Sequence, residues 1–258
     1  MRLTREVRYS PAGDQATPIN TWAGPIVDDP FAPLQTLRIT VEGAPDKGTG
    51  YLCDIKELDA VIRTHVGPCL RHSLRPGPSG LRDGLSALSN SVRIASEYCP
   101  GGTRLIELGW SLSPYLQFTA LNKETVMVTV TRSFEFAAAH RLYCAALSDE
   151  ENRRRFGKCS NPHGHGHNYV LEVTVGGSAD NAPGITDLDR IVQERVIEPF
   201  DHRNLNTECA DFAGINPTVE NIARVIFARL REAMPPGQLS RVKVWETPKT
   251  CAECDGED

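Results

Sequence analysis

The chain has 258 residues, a formal charge of −5, 40% hydrophobic residues and 24% charged residues. These are the values of an ordinary soluble globular protein, long enough for one large domain or two small ones and able to bury a core without staples. The acidic balance argues against a general nucleic-acid or anionic-membrane surface, so a polyphosphate ligand would need a local basic cluster. No apolar run approaches a membrane span, and Met1 to Val7 has no apolar core of signal-peptide length. Eight cysteines scattered along such a chain read as reduced thiols, which implies a cytoplasmic protein.

In chain order, Tyr9 to Pro33 is rich in Pro, Gly and Asp and reads as irregular. Thr36 to Val41 is a strand by its β-branched content. After Gly50, Asp54 suits a helix N-terminus, and the helical run continues to about Val66, followed by Gly67-Pro68-Cys69-Leu70-Arg71-His72. Pro76 to Gly84 reads as a loop. Ser89 to Ala95 is helical, and strands follow at Arg104 to Trp110 and Tyr115 to Leu121. Asn122-Lys123-Glu124 makes a polar join.

The same plan then recurs. Ser133 to His140 reads as a strand end and Asn168 to Val175 as a strand. Asp187 suits the start of a helix that runs to Ile197 and exits through Glu198-Pro199-Phe200-Asp201-His202. A second helix opens at Thr218, a plausible cap, with apolar residues at helical spacing to Phe227. Arg241 to Glu246 is a strand. Cys251-Ala252-Glu253-Cys254 has CxxC spacing without a second pair, so it reads as a late strand or tail with no redox role. These segments predict an α+β chain of two tandem β-β-α-α-β-β units, residues 1–122 and 123–258.

Sliding one unit over the other shows how their chemistry differs. Phe31 and Pro33 fall where His165 and His167 stand, Pro25 near Cys159, Arg71 near Asp201 and Val92 near Glu220. Gly109 or Ser111 falls opposite Glu246, and only His72, beside His202, keeps its type. The first unit is therefore expected to lack metal ligands and to serve as an interface module or a partial wall of the site.

The chemistry concentrates in Phe156 to Tyr169, which holds a cysteine and three of the seven histidines. If His165-Gly166-His167 is extended, both imidazoles point to one face and Gly166 to the other. An antiparallel neighbour ending in His140 would supply a third ligand. A single histidine is more often a packed or solvent-facing residue. Three at this spacing, with no fourth protein ligand in view, point to an open catalytic zinc site. Cys159 is the candidate base, six residues before His165, although a cytosolic cysteine is commonly a small buried hydrophobe. Arg153-Arg154-Arg155 and Lys158 could meet a phosphate chain, yet a solvated helix face after Asp149-Glu150-Glu151 explains most of them.

Phe134 to Leu142 followed by Phe156 to Tyr169 resembles the signature of the 6-pyruvoyl-tetrahydropterin synthase family, which includes the 6-carboxy-tetrahydropterin synthases. The likeness covers roughly Thr125 to Cys254. Cys159-x5-His165-Gly166-His167 resembles the 6-pyruvoyl enzymes. Cys159-x3-His163-Gly164-His165 fits the shorter spacing of the 6-carboxy enzymes, but the longer reading leads directly into the strand. The resemblance implies a tunnelling fold, in which antiparallel sheets from several units join into a barrel on oligomerisation, here as a homotrimer of fused units. It implies a Zn2+-dependent lyase that converts 7,8-dihydroneopterin triphosphate to 6-pyruvoyl-tetrahydropterin, with Mg2+ a candidate companion of the triphosphate. It implies metal ligation by His140, His165 and His167, and acid–base work by Cys159 with the Asp201-His202 pair, often across a subunit boundary. Pterin contacts would come from Glu246 and, less decisively, from Thr218 and Glu220. A non-catalytic pterin-binding module is the reading from another class, for which Cys159 with Asp201-His202 would be an unexplained excess.

Overall fold

A computed structural model describes residues 1–9, 35–73, 80–177 and 185–256. It divides into two compact units, Met1–Thr131 with Gly176–Ala182, and Arg132–Val175 with Pro183–Asp258. The stretch read as irregular falls, after Tyr9, outside the described residues, and with it Pro25, Phe31 and Pro33 of the comparison above. Residues 74–79 lie outside them too.

In the first unit β1 (Arg2–Tyr9), β2 (Gln35–Gly43), β3 (Thr103–Ser113) and β4 (Leu116–Leu121) are neighbours in that order, each pair antiparallel. Leu37, Ile39 and Val41 of β2 are buried while the residues between them are not, the period-two pattern of a strand with one covered face. Helix α1 (Ile55–Ala60) starts at Asp54, whose side chain accepts the Lys56 N–H. It runs through a π-helical turn, Val61–Val66, into α2 (Gly67–Ser73). Leu58, Ile62, Val66 and Leu70 are fully buried on this run, and Leu85, Leu88 and Val92 on α3 (Gly80–Glu97).

The expected loop from Pro76 to Gly84 is corrected in part, because Gly80 to Gly84 are helical and open α3. Gly84 lies under Trp110, and a Cβ there would come 3.4 Å from the indole Cζ3. This glycine sits in a helix against an indole rather than in a turn.

The second unit takes up β5 (Met127–His140) at Arg132, and α4 (Asp149–Phe156) follows behind a Ser148–Glu151 capping box. β6 (His165–Gly177) neighbours β5. Helix α5 (Ile185–Val192) passes through a second π-helical turn, Gln193–Ile197, into α6 (Glu198–Phe200). A two-residue strand β7 (Arg203–Asn204) pairs in parallel with Ala138 and Ala139 at the end of β5, and α7 (Leu205–Glu208) follows. Thr218 caps α8 (Val219–Ala233), and β8 (Leu239–Thr247) and β9 (Thr250–Cys254) complete the order β5-β6-β8-β9. Val219, Ile222, Ala223, Ile226, Phe227 and Leu230 form the buried stripe of α8, which packs on β8 and β9. The CxxC segment is β9, with Cys251 exposed and Cys254 buried, and all eight cysteines are free thiols.

Both units have a π-helical turn in the helical run after their second strand, and both tie that helix to their first strand by a bidentate ion pair. Arg5 holds Asp59 at 2.6 and 3.1 Å, and Arg132 holds Asp189 at 2.9 and 2.6 Å. The slide that lays Arg71 on Asp201 also lays Asp59 on Asp189. Among the described residues no helix is long and apolar enough to cross a membrane.

Candidate active site

The site is built at the ends of β5 and β6. Phe136, Ala138 and His140 occupy the buried face of β5, and alternate residues from His165 through His167 to Tyr169 turn the same way on β6. A glycine lets the chain entering β6 come this close to the end of β5. Gly164 has φ +70°, and a Cβ on it would lie 2.9 Å from the His140 carbonyl oxygen. A Cβ on Gly166 would meet the Ala138 oxygen at 3.4 Å, an ordinary contact, so the close approach rests on Gly164. His165 is thereby set beside His140, with their Nε2 atoms 3.2 Å apart. Ring centroids of the three histidines are 4.6, 4.8 and 5.3 Å from one another, and one nitrogen from each ring lies within 4.8 Å of the others.

His140 is fully buried. Its Nδ1 is 2.7 Å from the Pro217 carbonyl oxygen, a group that can only accept, so Nδ1 carries the hydrogen and Nε2 presents a lone pair to His165. Burial pushes this imidazole down to about 4, so the ring is neutral near pH 7. Burial, then the His167 ring, also lower His165. The Nε2 of His167 is buried with no hydrogen-bond partner, and so is Nδ1 of His165. Nitrogens bound tetrahedrally to a zinc-sized ion stand about 3.3 Å apart, close to the 3.2 Å found between His140 and His165. Three ring nitrogens converging within 4.8 Å, with His167 Nε2 buried and lacking a hydrogen-bond partner, fit a divalent cation.

Glu246, near the end of β8, comes closer to this cluster than its place in the sequence suggested. Its Oε1 is 3.5 Å from His140 Nε2 and 3.7 Å from His167 Nε2. Cys159 lies in a short 3-10 turn, Gly157–Ser160, and its carbonyl accepts the Leu142 N–H, which ties that turn to the segment just after His140. Burial first, then the Glu246 carboxylate, push the Cys159 thiol up. His163 stays in the exposed turn before β6, its N–H on Asn161, so the pair that gathers with His140 is the one at the longer spacing from Cys159.

Asp201 and His202 form a dyad at the exit of α6. His202 Nδ1 is 2.8 Å from Asp201 Oδ2, and the other carboxylate oxygen accepts the Ala137 N–H at 2.7 Å. That backbone bond, then His202, hold the Asp201 carboxyl below its usual range. His202 has φ +57° and its side chain is 82% exposed. One open groove is bordered by His167, Gly166, His202 and Arg203. Thr218 spends its hydroxyl on the Asn221 N–H as a helix cap, and Glu220 is exposed in the first turn of α8. Arg153, Arg154, Arg155 and Lys158 are exposed, the three arginines in the last turn of α4, where cations suit the helix dipole.

The sequence model described as 6-pyruvoyl tetrahydropterin synthase matches residues 129–257. The human 6-pyruvoyl tetrahydrobiopterin synthase is 45% identical over 132 residues, 50% of this chain and 91% of that protein. The chain belongs to the 6-pyruvoyl tetrahydropterin synthase family. The Drosophila melanogaster 6-pyruvoyl tetrahydrobiopterin synthase is 42% identical over 125 residues, 46% of this chain and 74% of its own. The solved structure of Caenorhabditis elegans 6-pyruvoyl tetrahydropterin synthase is 39% identical, with a TM-score of 0.48, and covers 51% of this chain and 96% of that one. As a member of this family the chain is an enzyme of the lyase class.

Around the histidine cluster, several polar side chains hold the backbone without any sequence pattern to mark them. Asn206 clamps both the N–H and the carbonyl of Arg141, at 2.7 and 2.9 Å. Asn216 accepts the Tyr143 N–H, and the buried Asn152 accepts the Cys144 N–H while donating to Cys144, Leu147 and Ser148 carbonyls. Three amide side chains thus replace the ladder partners that Arg141 to Ser148 lose when β5 ends. No spacing rule marks them, because their partners are set by the fold rather than by a local pattern.

Proposed function

We propose that residues 123–258 form a Zn2+-dependent 6-pyruvoyl-tetrahydropterin synthase unit, which converts 7,8-dihydroneopterin triphosphate to 6-pyruvoyl-tetrahydropterin and triphosphate. The observation that carries this reading is the convergence of His140, His165 and His167 with the Glu246 carboxylate beside them. A divalent ion held by these three rings would act as a Lewis acid toward a side-chain oxygen, acidifying the adjacent C–H and stabilising the charge that develops. The pterin ring gains the hydrogens its side chain loses, so the conversion needs no external oxidant or reductant. Cys159 removes a proton from a side-chain carbon, and the Asp201-His202 dyad returns one. Asp201 is suited to orient His202 because the Ala137 N–H anchors its second oxygen. Glu246 receives the 2-amino group and N3–H of the pterin as a charge-assisted pair. Thr218, whose hydroxyl caps α8, and Glu220 border the pterin through the same helix end.

Residues 1–122 are read as a degenerate tandem copy, a reading supported by the shared element order, the paired π-helical turns and the matching Arg–Asp clamps. Such a chain would assemble as a homotrimer whose sheets close into a barrel, which removes open strand edges. The test is incubation of the purified, zinc-loaded protein with dihydroneopterin triphosphate and identification of the products by mass spectrometry. The proposal expects 6-pyruvoyl-tetrahydropterin and triphosphate. A 6-carboxy product with acetaldehyde, an aldolase-type product, or unchanged substrate would overturn it.

A further inference from the structure

Tyr169 is fully buried, two positions beyond His167 on the same face of β6. Val170 pairs with Trp245, which brings Tyr169 across from Glu246. Its ring stacks on Phe136 at 5.0 Å between centroids and stands edge-on to His140 at 6.2 Å. Its hydroxyl is 3.4 Å from His140 Nδ1, the same atom that meets the Pro217 carbonyl at 2.7 Å. Because a carbonyl cannot donate, the single hydrogen on Nδ1 is shared between two oxygens, with Pro217 as the short branch and Tyr169 as the long one. Each branch resists a different rotation of the ring, and together they keep Nε2 aimed at His165.

We propose that Tyr169 is a positioning residue of this centre, its hydroxyl joining the Pro217 carbonyl to hold His140 with Nδ1–H toward them and Nε2 toward His165. The inference rests on the reading of the three histidines as a metal site. Hydrogen-bond partners behind a ligating histidine are worth about tenfold to a hundredfold in metal affinity, and a long branch belongs at the lower end, about tenfold. A phenyl ring in the same place would keep the Phe136 stack and fill nearly the same volume, so the change isolates the oxygen.

The test compares the full-length protein with Tyr169→Phe, titrating each with Co2+ against a competing chelator and recording the visible d–d bands. Circular dichroism of the metal-free proteins checks that both fold alike. The proposal expects about tenfold weaker Co2+ binding and shifted bands in the variant. Unchanged affinity and spectrum would overturn it, and so would a loss of turnover at unchanged affinity, which would assign the hydroxyl to the substrate. Failure of the wild-type protein to bind Co2+ would overturn the metal reading itself and this inference with it. If the variant does not fold, 15N NMR of the His140 ring in the metal-free wild type decides. Hydrogen on Nδ1 together with a Tyr169 hydroxyl proton that exchanges slowly with solvent supports the proposal, and hydrogen on Nε2 or a freely exchanging Tyr169 hydroxyl contradicts it.

Discussion

At the scale of single residues, the groups proposed to act differ in how completely the protein has prepared them. His140 is buried, neutral and locked in one tautomer by Pro217. Cys159 is not prepared in this way, since burial and Glu246 push its thiol up, away from what a base at neutral pH needs. A positive charge on the three-histidine cluster would push it back down. Cys159→Ala is therefore expected to lower kcat by about a hundredfold to ten-thousandfold, the range for loss of a general base. Zinc content measured on the same preparation should not change. Full activity in that variant would remove the thiol from the chemistry.

At the scale of elements, the approach of β6 to β5 decides whether the histidines meet. Gly164 is the tightest point, with a left-handed φ and no room for a Cβ against the His140 oxygen. Gly164→Ala should cost about 1–2 kcal/mol from the backbone conformation alone, and more from the contact. Chemical denaturation would read that loss, and calorimetry should show weaker zinc binding because β6 must shift away from His140. Wild-type affinity in the variant would show that strand spacing does not control the site. Much at this scale was legible in the sequence. The period-two runs marked the strands, Asp54 and Thr218 announced their helices by capping chemistry, and the HxH pair declared its own face. What was not legible depends on partners far along the chain. Gly80 and Gly84 looked like loop residues because Trp110, which covers Gly84, is distant in sequence. The clamps at Asn206 and Asn216, and the approach of Glu246 to the histidines, were hidden for the same reason.

At the scale of the whole molecule, the chain couples a unit matched by the family with a first half to which that match does not extend. The first unit has its own antiparallel strands, π-helical turn and Arg5–Asp59 ion pair. On the function proposed above, the chemistry of the chain depends on the three-histidine cluster in the second unit. Metal analysis of the purified protein by plasma mass spectrometry, beside His165→Ala, tests that dependence most directly. One divalent ion per wild-type chain, lost in the variant, is the predicted result. A wild-type protein that holds no ion after incubation with excess Zn2+, or a variant that keeps it, would contradict the account.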